Sequence, residues 1–312
     1  MNTKLKLLLS AALVAALFTS CFTGIESTPR ISSGDVRKRD AANTTPEQLF
    51  LSEVKPLPPA QWREGKRFFV TDDKISIIFQ SQLSSTDSLT GKDLVFNRFE
   101  TVPSVTGTGA TVVVFTSPGL DNELRYRVNF PVEDINSRDR LEIPFSVERY
   151  VVEKVDSAMR GNEYYISTPK WFATDDNHAV NGRRHIPVKI TRVEPGTYIY
   201  PLRVFFTPSD REGEYWIPMT IGDDRAATRN FSTVFNFENP RKRYPHITDE
   251  TWVLITNSRV AAGMTRDECR LALGAPNNYR TLPVYNAIVE QWSYDDGLYL
   301  IFEDGILTRY RI

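Results

Sequence analysis

Residues 263–276 read Gly-Met-Thr-Arg-Asp-Glu-Cys-Arg-Leu-Ala-Leu-Gly-Ala-Pro. Thr265 and Glu268 stand at the capping-box spacing, where the threonine hydroxyl accepts from the backbone N–H of the glutamate and the carboxylate reaches back to the threonine N–H. Cys269, Ala272 and Leu273 then fall at i, i+3 and i+4 on one helical face, and Gly274 with Pro276 supplies the stop. Upstream, Thr248–Val260 (TDETWVLITNSRV) places Trp252, Ile255 and Val260 in a stripe, a second helix that Gly263 breaks. Downstream, Ala287–Tyr294, Leu298–Phe302 and Ile306–Ile312 read as three strands. Asp296-Gly297 and Asp304-Gly305 are the hairpin signals between them. Residues 246–312 are thus expected to form an α+β module of order α-α-β-β-β.

The grammar before this module is different. From Trp62 to about Asn236, short aromatic and β-branched runs recur between turn residues: Arg67–Val70, Ile75–Gln80, Thr111–Phe115, Leu124–Val128, Glu163–Ile166, Ile186–Ile190, Tyr198–Phe206 and Glu214–Met219. Such spacing predicts antiparallel strands in a sandwich or barrel. Residues 61–240 are read as a β-rich body, one unit or two small β domains, with Arg67–Val70 and Ile75–Gln80 forming a hairpin across Thr71–Lys74. Ile143-Pro144-Phe145-Ser146-Val147 and Ile186-Pro187-Val188-Lys189-Ile190 share a short pattern that fits two related halves.

The first 60 residues are of a third kind. Lys4 and Lys6 precede a run of about a dozen apolar residues, Leu7–Phe18, the length of a signal-peptide core and too short for a comfortable span. Leu17-Phe18-Thr19-Ser20-Cys21 resembles a bacterial lipobox. That resemblance implies a signal peptide over 1–20 and lipidation of Cys21, with the membrane lipid as its partner. Residues 21–60, rich in Ser, Thr and Pro, are read as a flexible tether with at most one short helix near 46–54. Cys21 and Cys269 are the two cysteines, so a lipidated Cys21 leaves Cys269 without a disulfide partner.

Taken together, Gly263-Met264-Thr265, Glu268, Leu273-Gly274-x-Pro276, Trp292-x-Tyr294 and Leu300-x-Phe302 with Gly305 resemble the BamE/SmpA/OmlA family of small outer-membrane lipoproteins. The pattern covers about the last fifth of the chain. It implies a non-enzymatic envelope scaffold that touches other proteins in outer-membrane assembly or integrity. Each motif residue also has a structural reading, the glycines as caps and turns, Leu273, Trp292 and Phe302 as core. The runner-up is a ligand-binding or protein-inhibitor module using the C-terminal sheet face, as beta-lactamase inhibitor proteins use a similar unit. Tyr299 and Tyr310 are the candidate contact residues there. Phe22, standing where an Asp after the lipidated Cys retains some lipoproteins in the inner membrane, implies outer-membrane sorting with the body in the periplasm.

Chemistry is sparse. The three histidines, His178, His185 and His246, form no metal-binding spacing, and no serine sits in a nucleophile elbow. Asp175-Asp176-Asn177-His178 followed by Arg183-Arg184-His185 is the most polar cluster. Its acidic half suits a cation, but its Asx residues suit a solvated loop better. Neither cofactor nor metal is expected, and no catalytic residue. A formal net charge of -1 implies no nucleic-acid partner.

Overall fold

The computed structural model describes residues 44–79, 88–103, 109–221, 229–284 and 287–311. Cys21 and the lipobox-like stretch lie outside them. The chain is rich in β-strand, its strand pairings are antiparallel, and its helices are few. No helix among the described residues is long and apolar enough to cross a membrane.

The described part opens with α1 (Pro46–Leu49). Glu47 is buried, and Phe50 packs against Tyr164, Phe231 and Phe237. The stretch expected to be tether up to residue 60 is therefore folded from Pro46 onward, because its aromatic side chain has a core to enter.

Strands β1 (Arg67–Val70), β2 (Asp93–Val102), β3 (Ala110–Thr116), β4 (Leu124–Val128) and β5 (Ser146–Glu148) form the first sheet, in the order β4-β3-β2-β1-β5. β3, flanked by β4 and β2, reads Ala-Thr-Val-Val-Val-Phe-Thr; six of its seven residues are buried, as a continuous apolar run requires when both faces are covered. Buried Thr111 keeps its hydroxyl satisfied by donating to the Phe130 carbonyl at 2.8 Å. The hairpin expected after β1 is absent. Asp73–Ile78 is instead a 3-10 turn, capped by the Asp72 carboxylate accepting from Lys74 N–H. The Asp73 carboxylate accepts from the N–H groups of Leu89 and Thr90 at 2.8 Å each, so a distant segment claims the turn and Ile75 drops into the core alone.

The second sheet follows an unexpected helix, α2 (Arg149–Met159). Its valines suggested strand, but Val151, Val152, Val155 and Met159 share one helical face and are all buried. Full burial of such side chains is worth about 1.5–3 kcal/mol each, which outweighs the weak helix propensity of valine. Then come β6 (Glu163–Ile166), β7 (Lys170–Ala173), β8 (Ala179–Asn181), β9 (Ile186–Pro195), β10 (Leu202–Pro208), β11 (Tyr215–Met219), α3 (Phe231–Val234) and β12 (Phe235–Asn236). The sheet order is β12-β6-β9-β10-β11-β7-β8. Its core gathers Val152, Val155 and Met159 of α2 with Ile166, Trp171, Phe206, Met219 and Phe235.

Helices α4 (Asp249–Thr256) and α5 (Arg266–Leu273) precede β13 (Asn278–Val284), β14 (Ala287–Ser293), β15 (Tyr299–Glu303) and β16 (Ile306–Arg311), which pair in chain order. Three strands were expected and four are present. Residues 278–284, to which no element was assigned, form β13, which pairs with β14 from Asn278↔Ser293 to Val284↔Ala287. As an edge strand it tolerates a proline. Trp252, Ile255, Cys269, Ala272, Trp292, Leu300, Phe302 and Leu307 make a third core. Burial holds the Cys269 thiol up at about 12, so it packs as a small apolar group.

Candidate functional site

The residues that carry the BamE-like pattern hold structure. Thr265 Oγ1 accepts from Glu268 N–H, and the Glu268 carboxylate accepts from Thr265 N–H at 2.7 Å, so the expected capping box is present. Gly263 N–H donates to the Leu307 carbonyl and Leu307 N–H donates to that of Met264, both at 2.8 Å. These bonds seat the entry to α5 against β16. Gly274 ends α5 with φ +89°, and Tyr294 donates its hydroxyl proton to the Gly274 carbonyl at 3.2 Å. Pro276 follows where the chain leaves the helix, half-buried. Trp292 and Phe302 pack ring to ring at 4.7 Å. Asp304 and Gly305, both at positive φ, make the β15–β16 turn.

Tyr299 and Tyr310 do not share a surface. Tyr310 lies opposite Leu300, while Tyr299 lies opposite Arg311 and Ser293. Directly paired residues point to the same side and neighbours in a strand alternate, so the two tyrosines occupy opposite faces of the sheet. Tyr310 is on the helix-packed side at its edge, and Tyr299 is on the open side. One binding face containing both is ruled out by the register.

The polar cluster at 175–185 divides in two. Asp175, Asp176 and His178 are exposed, with ligand-type atoms within 4.8 Å of one another. The Asp176 carboxylate accepts from His178 N–H at 3.0 Å and contacts its ring, lifting the His178 pKa above the ordinary value. Asn177 turns inward, its side-chain oxygen accepting from Trp216 Nε1 at 3.0 Å and from Arg203 at 3.3 Å. The loop closes over a row that crosses four strands, Phe172–Trp216–Phe205–Arg192. In it the Arg192 guanidinium lies 3.7 Å from the Phe205 ring centre.

The basic half is not the solvated loop that was expected. Arg184 is largely buried and bridges to the C-terminal elements. It donates to the carbonyls of Ser167 (2.9 Å) and Leu273 (3.2 Å) and to the Ser258 hydroxyl (3.1 Å). A helix end leaves its last carbonyls without partners and carries partial negative charge, and Leu273 is the last residue of α5. The five-donor guanidinium suits that place. With no carboxylate in ion-pair range among the described residues, burial pulls the Arg184 pKa down to about 10. His185 beside it is buried, donates from Nε2 to the Leu271 carbonyl at 3.1 Å and lies 5.8 Å from the Trp252 ring. Desolvation, with Arg184 adding repulsion, drops its pKa to about 4. Arg183 donates to the Thr256 hydroxyl at 2.8 Å. Apart from Ser167, the partners of these three residues lie some 70–90 positions along the chain, which no local pattern reveals.

Sequence reasoning also missed a cleft of about 420 Å3, within the size range of small-ligand sites. It opens where β5 and the start of α2 face the β9–β10 turn and the end of β11. The buried side is apolar, with Phe68, Ile143, Val147 and Val151. Glu148 sits at its back, neutralised by a contact with Lys66 and accepting from Leu57 N–H at 3.2 Å. Lys66 lies among the rings of Trp62, Phe68 and Tyr150, and burial lowers its pKa. The lip is the β9–β10 turn, where Tyr198 and Ile199 are 50% and 72% exposed. That turn is fixed by Thr197 N–H to Tyr200 O at 2.8 Å and Gly196 N–H to Pro201 O at 2.9 Å. A Cβ at Gly196 would collide with the Tyr200 carbonyl, so the turn requires glycine there. Pro195-Gly196, between two stretches read as strand, and Pro201, inside the second of them, were the available turn signal.

Across known protein families, characterised proteins and solved structures, nothing matches this chain.

Proposed function

We propose that this chain is a lipid-anchored envelope protein that works by contact with other proteins and performs no catalysis. In this reading Cys21 carries the anchor in the outer membrane and the β-rich body stands in the periplasm. The elements from α4 to β16 form a C-terminal α+β module of the BamE/SmpA/OmlA kind.

The observation that carries the reading is where apolar surface is left uncovered. Nine large apolar side chains are exposed among the described residues, and five of them, Val253, Tyr279, Ile288, Ile306 and Tyr310, belong to this module. The row Tyr279–Trp292–Leu300–Tyr310 crosses its four strands. The helices cover the inner pair and leave the outer pair showing at the two edges. Tyr279, Ile288 and Tyr310 lie on the helix-packed side of the sheet and Ile306 on the other, so of the five it is Tyr279 and Ile288, on adjacent strands and one side, that form the candidate contact surface. The alternative, a ligand-binding or inhibitor module on the sheet face, loses its two anchors because Tyr299 and Tyr310 face apart.

Co-purification after chemical cross-linking in intact cells tests both halves. Wild-type protein should fractionate with the outer membrane and retain a reproducible set of envelope proteins. A Tyr279→Asp, Ile288→Asp variant should lose that set while Ile77→Asp, more exposed still but elsewhere, keeps it. Cys21→Ala should leave the membrane fraction. An unchanged partner set in the Tyr279/Ile288 variant overturns the contact surface, and Cys21→Ala retained in washed membranes overturns the anchor.

A further inference from the structure

We propose that the cleft between β5 and the β9–β10 turn binds a single-chain anionic amphiphile, its aliphatic chain lying on Ile143, Val147 and Val151 and its carboxylate reaching Lys55 and Arg140. The inference is independent of the C-terminal module and of the membrane anchor.

Four observations converge on this ligand. The inner wall is aliphatic and already buried, so it offers an unbranched chain a dry surface. Ile199 stays exposed at the lip of a turn closed by its own backbone bonds, while the Tyr198 hydroxyl donates to the rim carboxylate of Glu142 at 3.3 Å and its ring stays half exposed. Their exposure is therefore built in, and a chain entering the cleft would cover it. The rim carries an excess of positive charge among the described residues. Lys55 has no ion-pair partner among the described residues, and Arg140 pairs at 3.0 Å with Glu142, both of them exposed. Glu148 adds no free charge because Lys66 matches it. An exposed ion pair is weak and releases Arg140 readily to a second carboxylate. Finally, Thr220 Oγ1 in the cleft wall is shielded from solvent with no hydrogen-bond partner among the described residues. A buried hydroxyl left so is costly, and a polar atom at the ligand's head would satisfy it.

The test is calorimetric titration of dodecanoate into the full chain carried in phosphatidylcholine vesicles, with protein-free vesicles as the blank. Dodecanol, of the same length without the charge, is run in parallel. The expected result is saturable uptake of one dodecanoate per chain. Ile199→Asp, at an exposed position that leaves the melting temperature unchanged, should weaken both ligands about tenfold or more, and Lys55→Glu should do so for dodecanoate alone. Uptake no greater than the blank, or uptake indifferent to Ile199→Asp, overturns the site. Equal loss of acid and alcohol in Lys55→Glu overturns the anionic head. Cross-linking of the same samples addresses a second copy of the chain as occupant. A dimer that Ile199→Asp abolishes and dodecanoate fails to compete also overturns the proposal.

Discussion

Trp171→Ala is expected to cost about 3–5 kcal/mol and to abolish the cost of Gly182→Ala. Trp171 on β7 is fully buried, edge-on to Phe206 with centroids 5.3 Å apart, and its indole N–H donates to the Thr168 carbonyl at 2.7 Å. Gly182, just past β8, lies flat against the indole, and a Cβ there would sit inside the ring. The strand cannot back away, because Gly182 N–H is bonded to the Pro169 carbonyl at 2.7 Å. Gly182→Ala alone should therefore destabilise by about 1–3 kcal/mol or somewhat more, as overpacking does. With the indole removed, the added methyl enters the cavity and the penalty vanishes. Urea unfolding of the two single variants and the double one, followed by circular dichroism, measures this. Additivity within about 0.5 kcal/mol would mean that Trp171 is not the obstacle.

The protein should also lose stability in mild acid before its carboxylates begin to protonate. His185 has a folded-state pKa of about 4, against roughly 6.5 when unfolded. Between those values the unfolded chain binds a proton that the folded chain refuses. The stabilisation is fully present above about pH 6.5 and is lost as pH falls toward 4, about 3 kcal/mol in all and about 2 by pH 5. Protonation is resisted because Nδ1 is buried with no hydrogen-bond partner among the described residues and Arg184 lies adjacent. Asp73, Glu100 and Glu123 have pKa values lowered by their hydrogen bonds, so their contribution disappears only at more acid pH. Exposed His178, whose pKa is raised by Asp176, acts with the opposite sign and little weight. Urea midpoints at about pH 7.5 and 5 should separate in the wild type and converge in His185→Gln. Equal separation in both would remove His185 as the cause.

What could be read from the sequence depended on how far apart the interacting residues lie. The α5 capping box, its Gly274 stop and the Asp304-Gly305 turn are decided within a few residues, and they occur where the pattern places them. Most strands of the body were visible for the same reason, since β-branched runs between turn residues state their own preference. Helix α2 was missed because its valines favour strand, while the spacing of Val151, Val155 and Met159 speaks for helix. The burial that decided between them depends on the sheet below. Asp73 looked like a hairpin residue until its carboxylate met residues 88–90. Neither the Arg184 joint nor the cleft was legible at all. Each is assembled from segments far apart in the chain, and each uses residues whose local reading, a solvated loop or the start of a strand at Tyr198, gave no sign of it.

Each of the three sheets draws on a single uninterrupted stretch, 67–148, 163–236 and 278–311. A chain that emerges from its N-terminal side can therefore complete the sheets one after another, and no strand has to wait for a partner from a later sheet. Chains that fold unit by unit in this way keep few unpaired edges waiting. The exception is the Arg183–His185 segment. Its carbonyl and hydroxyl partners on Thr256, Ser258, Leu271 and Leu273 arrive some 70–90 residues later. During that interval the arginine is hydrated and the imidazole is free to take up a proton. The final helices then dehydrate the first and discharge the second, so their docking is also an act of proton release in any compartment between about pH 4 and 6.5.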